Sequence, residues 1–290
     1  MHRHKLTMSE VYEESLGVLQ SHFEALKRSF DTGLTLDVEW RKFQLKALHK
    51  GIQDCESEII KAEKADLGKA VPLIVIEIGT CLKEIEEAYS NVDEWVKDVP
   101  ISTPIELQPG KSWRQPKPKG LALIISAWNF PLALALQPLV GAIAAGCCVL
   151  VKPNEGSPET AKVVCKIIDN YLDQAAFRSV QGGVKTSSAL VSEFHFDKIF
   201  FTGGSKVGRK IAEAGAKYFA DITLELGGKN PLIIDEYVDV KTAVWRTVYA
   251  RMENAGYVVA LTCVPKMQIL SNFIDLKPIL FEPRLLPCSH

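Results

Sequence analysis

The sequence predicts an α/β protein, a doubly wound and mostly parallel sheet preceded by a helical segment. Three observations carry this. From Leu121 onward, apolar runs of strand length alternate with stretches of helical period. Before residue 100, apolar residues recur at spacings of three and four. Between the two regions stand Pro100, Pro104, Pro109, Pro116 and Pro118, which forbid a long helix.

In chain order, the N-terminal period predicts amphipathic helices over Val11 to Phe30, Trp40 to Ile60 and Ile74 to Trp95. The proline-rich stretch of about 100–118 reads as an extended arm or bridging hairpin. Then come a strand at Leu121 to Ser126, a helix, a strand at Cys148 to Lys152, and a helix from about Glu159 to Leu172. A strand at Lys198 to Phe201, a helix from about Val207 to Tyr218 and a strand at Ile222 to Leu226 complete the alternation. Ligands of such sheets bind beyond the carboxyl ends of the strands.

Composition narrows the function. Among 290 residues, 34 are basic and 35 acidic, so no basic field for nucleic acid exists. The seven cysteines contain no C-x-x-C pair and the histidines are scattered, so neither a disulfide framework nor a metal site is expected. The N-terminus lacks the apolar core of a signal peptide, which makes the cytoplasm the expected location. Gly120 to Val151 carries one charge-free run long enough to cross a bilayer up to its last strand. Pro131, Pro138, Asn129 and Gln137 break it into strand, turn, helix and strand, so no membrane span is expected.

Four segments could carry chemistry. In Leu224-Glu225-Leu226-Gly227-Gly228-Lys229, Glu225 is a lone carboxylate in an apolar run. Loss of solvation there would make it a general base; the alternative is a strand-end Glu facing solvent before a glycine turn. Thr202-Gly203-Gly204-Ser205-Lys206-Val207-Gly208 joins a strand to a helix start, where backbone N–H groups can face a pyrophosphate, or form only a tight turn. Lys152-Pro153-Asn154-Glu155 could hold ribose hydroxyls or be a solvated turn. Asn129, in Trp128-Asn129-Phe130-Pro131, could donate to an oxyanion or cap a helix.

These four motifs, in this order and spacing, make the chain resemble the aldehyde dehydrogenase superfamily over roughly Trp40 to Gly256. The run Gln137 to Gly146 and Gly182-Gly183-Val184 resemble its class 3 branch, which handles medium-to-long aliphatic and aromatic aldehydes. The resemblance implies a Rossmann-like domain for NAD or NADP within residues 1–256, with a bridging arm at 100–118. It implies cofactor contacts at Trp128, Lys152, Glu155, Gly203, Gly204, Ser205, Gly208 and Leu226. Gly204 stands where many members have Ser, which implies one phosphate contact fewer. The implied chemistry is thiolate attack by Cys263 on an aldehyde, with Asn129 stabilising the oxyanion. Hydride leaves to the cofactor, and Glu225 activates water to hydrolyse the thioester. Family members form homodimers.

The sequence departs from the pattern after Asn254-Ala255-Gly256. Five residues, Tyr257 to Leu261, stand where the family run Asn-x-Gly-Gln-x-Cys has its Gln. Residues 257–290 read as an atypical tail in place of the catalytic domain, so that domain is expected to be largely missing. A truncated or mis-spliced member is the expectation, with the tail drawn from translated intron or a shifted frame. The alternative function is a catalytically inactive dinucleotide-binding fragment or partner subunit. An acyl-transferring cysteine enzyme is disfavoured because no His motif pairs with Cys263.

Overall fold

The computed structural model describes residues 12–228, 232, 234, 237–252 and 254. Four helices come first: α1 (Leu16–Asp31), α2 (Val38–Asp54), α3 (Glu56–Leu67) and α4 (Val71–Trp95). Ser15 and Asp37 cap the first two, their side chains accepting from Val18 and Glu39 N–H. The run predicted as one helix from Trp40 to Ile60 is two. At Cys55 the backbone leaves the helical region (φ −96°, ψ 5°), yet its N–H still closes α2 on Gly51 and its carbonyl starts α3. Apolar spacing continues across this one-residue hinge, so periodicity alone cannot show it. Gly51 matters to the packing, because a Cβ there would lie 2.9 Å from the Tyr171 ring.

The proline-rich arm forms the expected hairpin, β1 (Val99–Ile101) antiparallel to β2 (Ser112–Arg114). Beyond it run β3 (Leu121–Ile125), α5 (Ala133–Ala145), β4 (Cys148–Lys152), α6 (Pro158–Tyr171), β5 (Phe177–Ser179) and α7 (Val184–Ser192). They are followed by β6 (Lys198–Gly203), α8 (Ser205–Ala216), β7 (Asp221–Leu226) and α9 (Val240–Met252). The five strands β3 to β7 are parallel in the order β5-β4-β3-β6-β7. Right-handed crossovers with this order put α5 and α6 on one face and α7 and α8 on the other. The doubly wound sheet is therefore as expected, with its topological switch between β3 and β6. Every residue of β3 and β4 is buried, which is why they read as continuous apolar runs rather than alternating ones. The charge-free stretch is strand, 13-residue helix and strand, and no described helix is long and apolar enough to cross a membrane.

The outer helices are tied to the sheet layer by a buried cation. Arg41 of α2 donates from Nε to Thr35 O (2.6 Å), from Nη1 to Ala144 O (3.1 Å) and from Nη2 to Leu36 O (3.2 Å). It thereby serves a carbonyl at the end of α5, where Gly146 turns the chain at φ 83°. A Cβ on Gly146 would lie 2.5 Å from Arg41 Nη2. Gly146→Ala is expected to cost about 1–3 kcal/mol through the left-handed backbone and the displaced guanidinium. Urea unfolding checks this, and an unchanged midpoint would contradict it.

The chain divides into two compact units, Met1–Gly227 with Glu253–Val258, and Gly228–Met252 with Val259–His290. The helices, hairpin and sheet described above belong to the first; α9 belongs to the second.

Candidate functional site

The four motif segments meet at the carboxyl ends of β3, β4, β6 and β7, where a doubly wound sheet binds its ligands. The loops after β3 and β4 are laced together. Asn154 Nδ2 donates to Ser126 O (3.1 Å), Asn154 Oδ1 accepts from Gly156 N–H (2.8 Å), and Ser157 Oγ donates to Trp128 O (2.8 Å). Gly156 permits the approach, since a Cβ there would meet the Trp128 Cβ at 3.1 Å. Trp128 is left 40% exposed and Asn129 half-buried. Lys152, the last residue of β4, is buried with its Nζ 2.5 Å from Glu155 Oε2. The two cofactor candidates of this segment thus hold each other.

Gly203 and Gly204 carry the chain from β6 into α8. Gly204 is the N-cap, exposed and extended, and a Cβ there would meet nothing within 4 Å. Gly208 in the next turn is buried, and a Cβ on it would lie 2.6 Å from Leu226 Cδ2, so its lack of a side chain lets α8 close on the end of β7. The N-termini of the neighbouring helices are served by carboxylates from remote elements. Glu77 Oε1 accepts from Leu132 and Ala133 N–H at α5 (3.2 and 2.9 Å). Asp66 accepts from Glu159 and Thr160 N–H at α6 (3.2 and 2.8 Å). Glu13 accepts from Gly183, Lys185 and Thr186 N–H at α7 (3.0, 3.1 and 2.7 Å). Among the described residues no side chain does this for α8. Its first turn stays open to an anion, which the helix dipole would attract.

One expectation changes. Glu225 was expected to lose solvation in an apolar run, but it is exposed. It sits on β7, which pairs only with β6 among the described strands, placing Glu225 opposite Thr202. Among the described residues one flank of the strand has no neighbouring strand, and its last residues are exposed. The open alternative, a strand-end Glu facing solvent, is what is observed. Cys263 lies outside the described residues.

Sequence reasoning missed three features. Asn254, buried, donates from Nδ2 to Asn129 O (2.7 Å), while its own Oδ1 has no hydrogen-bond partner among the described residues. A cavity of about 270 Å³ opens beside it, walled chiefly by Leu73, Ile76, Phe130, Leu134 and Gln137, with Glu77 in its lining. The third feature is a fully buried charge cluster: Lys69 Nζ bonds Glu63 Oε2 (2.8 Å) and Glu77 Oε2, and lies 4.8 Å from the centre of the Phe130 ring. The sequence did carry a signal for it. Glu77 in Leu73-Ile74-Val75-Ile76-Glu77-Ile78 is as isolated a carboxylate in an apolar run as Glu225.

The aldehyde dehydrogenase family profile matches residues 6–264, wider at both ends than the motifs alone suggested. Mouse aldehyde dehydrogenase family 3 member B3 is 40% identical over 254 residues, covering 87% of this chain and 52% of that protein. The 4,4'-diaponeurosporen-aldehyde dehydrogenase of Staphylococcus aureus is 37% identical, covering 88% and 55%. A solved substrate-bound structure of Staphylococcus aureus AldH superposes with a TM-score of 0.81 at 36% identity, covering 84% of this chain and 53% of that one. The chain thus spans about half the length of the relatives it matches. With the class 3 relatives, the parallel sheet and the ordered motifs all in agreement, the chain belongs to the aldehyde dehydrogenase family.

Proposed function

We propose that the chain binds NAD or NADP across the carboxyl ends of β3, β4, β6 and β7 and contributes to oxidising aldehydes to carboxylic acids. The observation that carries this reading is the uncapped first turn of α8 behind Gly203-Gly204, beside the switch point, while α5, α6 and α7 each have a remote carboxylate. The residues present fit a dinucleotide: an exposed turn without side chains for the pyrophosphate, and the Lys152–Glu155 pair for ribose hydroxyls. Gly203, Gly204, Ser205 and Gly208 would line the phosphates, with Trp128 and Leu226 at the flanks. A bound nicotinamide supplies the acceptor for hydride.

The chain's own residues would do the rest. Cys263 Sγ forms the bond to the aldehyde carbon, and the carbonyl electron pair moves onto oxygen, where the Asn129 amide N–H donates to it. After hydride loss leaves a thioester, Glu225 takes a proton from the water that attacks it; its exposure gives water direct access. The cavity beside Asn254 is apolar over most of its wall, which suits an aliphatic or aromatic aldehyde. In this reading the protein is cytoplasmic and pairs as a homodimer. A non-catalytic dinucleotide-binding module is the second reading.

The purified 290-residue chain tests both. Aldehyde-dependent reduction of NAD or NADP supports the first reading; cofactor binding without turnover, unaltered by Cys263→Ala, supports the second. Gly204→Asp separates cofactor binding from fold. An N-cap carboxylate would stabilise α8 by a few tenths of a kcal/mol. The same charge would repel the pyrophosphate and weaken dinucleotide binding by about tenfold or more. A variant that melts no lower and binds NAD as tightly as the parent would overturn the placement of the phosphates.

A further inference from the structure

A lysine and two glutamates with no solvent contact are hard to explain by stability alone. Replacing a buried ion cluster with apolar side chains of similar volume is often neutral or stabilising. What Lys69, Glu63 and Glu77 do that hydrocarbon could not is hold other groups. Glu77 spends one carboxylate oxygen on Lys69 and the other on the N–H groups of Leu132 and Ala133. Those are the orphan donors at the start of α5, whose own N-cap, Leu132, has no side chain able to serve them. Lys69 in turn approaches the Phe130 ring. Both contacts fall within four residues of Asn129, and they reach it from α4 and the α3–α4 turn. Asn254 holds the same turn from another direction, through the Asn129 carbonyl.

We infer that Glu77 and Lys69, with Glu63 behind them, are positioning residues that lock the Trp128-Asn129-Phe130-Pro131 turn and so aim the Asn129 amide. The role in turnover rests on the aldehyde-oxidising reading; the locking of the turn does not. The Glu77 carboxylate replaces the missing cap of α5, fixing the helix start from which the Asn129 turn departs.

Hydrogen exchange on the full chain tests this together with turnover. In Glu77→Leu the amides of Leu132 and Ala133 are expected to exchange at least about tenfold faster. Glu77→Gln, which keeps an acceptor oxygen, is expected to restore most of the protection. In an active chain, kcat should fall about tenfold or more in Glu77→Leu and recover in Glu77→Gln, with NAD affinity within about twofold throughout. Lys69→Met keeps the length of the stem and gives the second reading where Glu77→Leu does not fold; faster exchange at the same amides is expected of it too. Unchanged exchange at Leu132 and Ala133 in a folded variant overturns the inference. An inactive parent chain with the exchange pattern intact removes the aldehyde-oxidising reading and leaves the locking role standing.

Discussion

Asn129→Ala is expected to lower kcat for aldehyde oxidation by about 10²–10³-fold, the usual effect of removing one oxyanion donor. Asn129 follows β3 at the switch point, its carbonyl is held by Asn254 at 2.7 Å, and its turn adjoins the apolar cavity. A donor fixed before the reaction needs no reorganisation as charge develops, and in a site shielded from water its effect is larger. Because the substitution leaves the backbone contacts of the turn in place, NAD affinity should stay within about twofold. Steady-state kinetics with a cofactor titration on the same samples measures both. A fall of less than about threefold would remove Asn129 from the chemistry, and a matching loss of cofactor affinity would reassign it to binding.

The second large effect concerns pH and stability. Burial pushes the Glu63 carboxyl up from an ordinary value of 4.5 to about 8, reinforced by the neighbouring Glu77 and opposed by Lys69. Between those two values the folded chain keeps a proton that the unfolded chain has released. Stability from this group is therefore full below about pH 4.5 and is lost as pH rises toward about 8, by up to roughly 5 kcal/mol in all. Glu63→Gln keeps an oxygen for Lys69 and offers an N–H toward Glu77 without an ionisable proton. It should flatten this slope and leave the variant more stable than the parent near pH 8. Urea midpoints at about pH 5 and about pH 8 decide the matter. Parallel slopes in parent and variant would show that Glu63 does not hold the proton.

Much of the fold was legible because the informative signals are local. A fully buried parallel strand must be apolar throughout, and Cys148–Lys152 was read from the chain with its observed bounds. A strand, a glycine pair and a helix start are neighbours in sequence, so Gly203, Gly204 and Ser205 were legible in the same way. Some elements were not. Phe177–Ser179 is only three residues long, too short for a period, and Val184–Ser192 carries four Ser and Thr residues that blur its apolar stripe. The helix predicted from Val11, a residue outside the described ones, begins at Leu16. Glu13 lies before the first turn of α1 and instead serves the N–H groups of α7, more than 160 residues away in sequence.

The site divides along the same line. The sequence by itself determined which residues lie at strand ends, and therefore that Asn129, Lys152, Glu155 and Gly203 lie on one side of the sheet, because alternating strands and helices make the strands parallel; the strand order came from the structure. The sequence could not determine burial, which depends on partners distant along the chain. Glu225 and Glu77 carry the same signature, one carboxylate in an apolar run, yet Glu225 lies exposed on a strand with one described neighbour and Glu77 lies buried among three helices. A carboxylate keeps or loses its water according to what packs over it, and only the tertiary structure decided that.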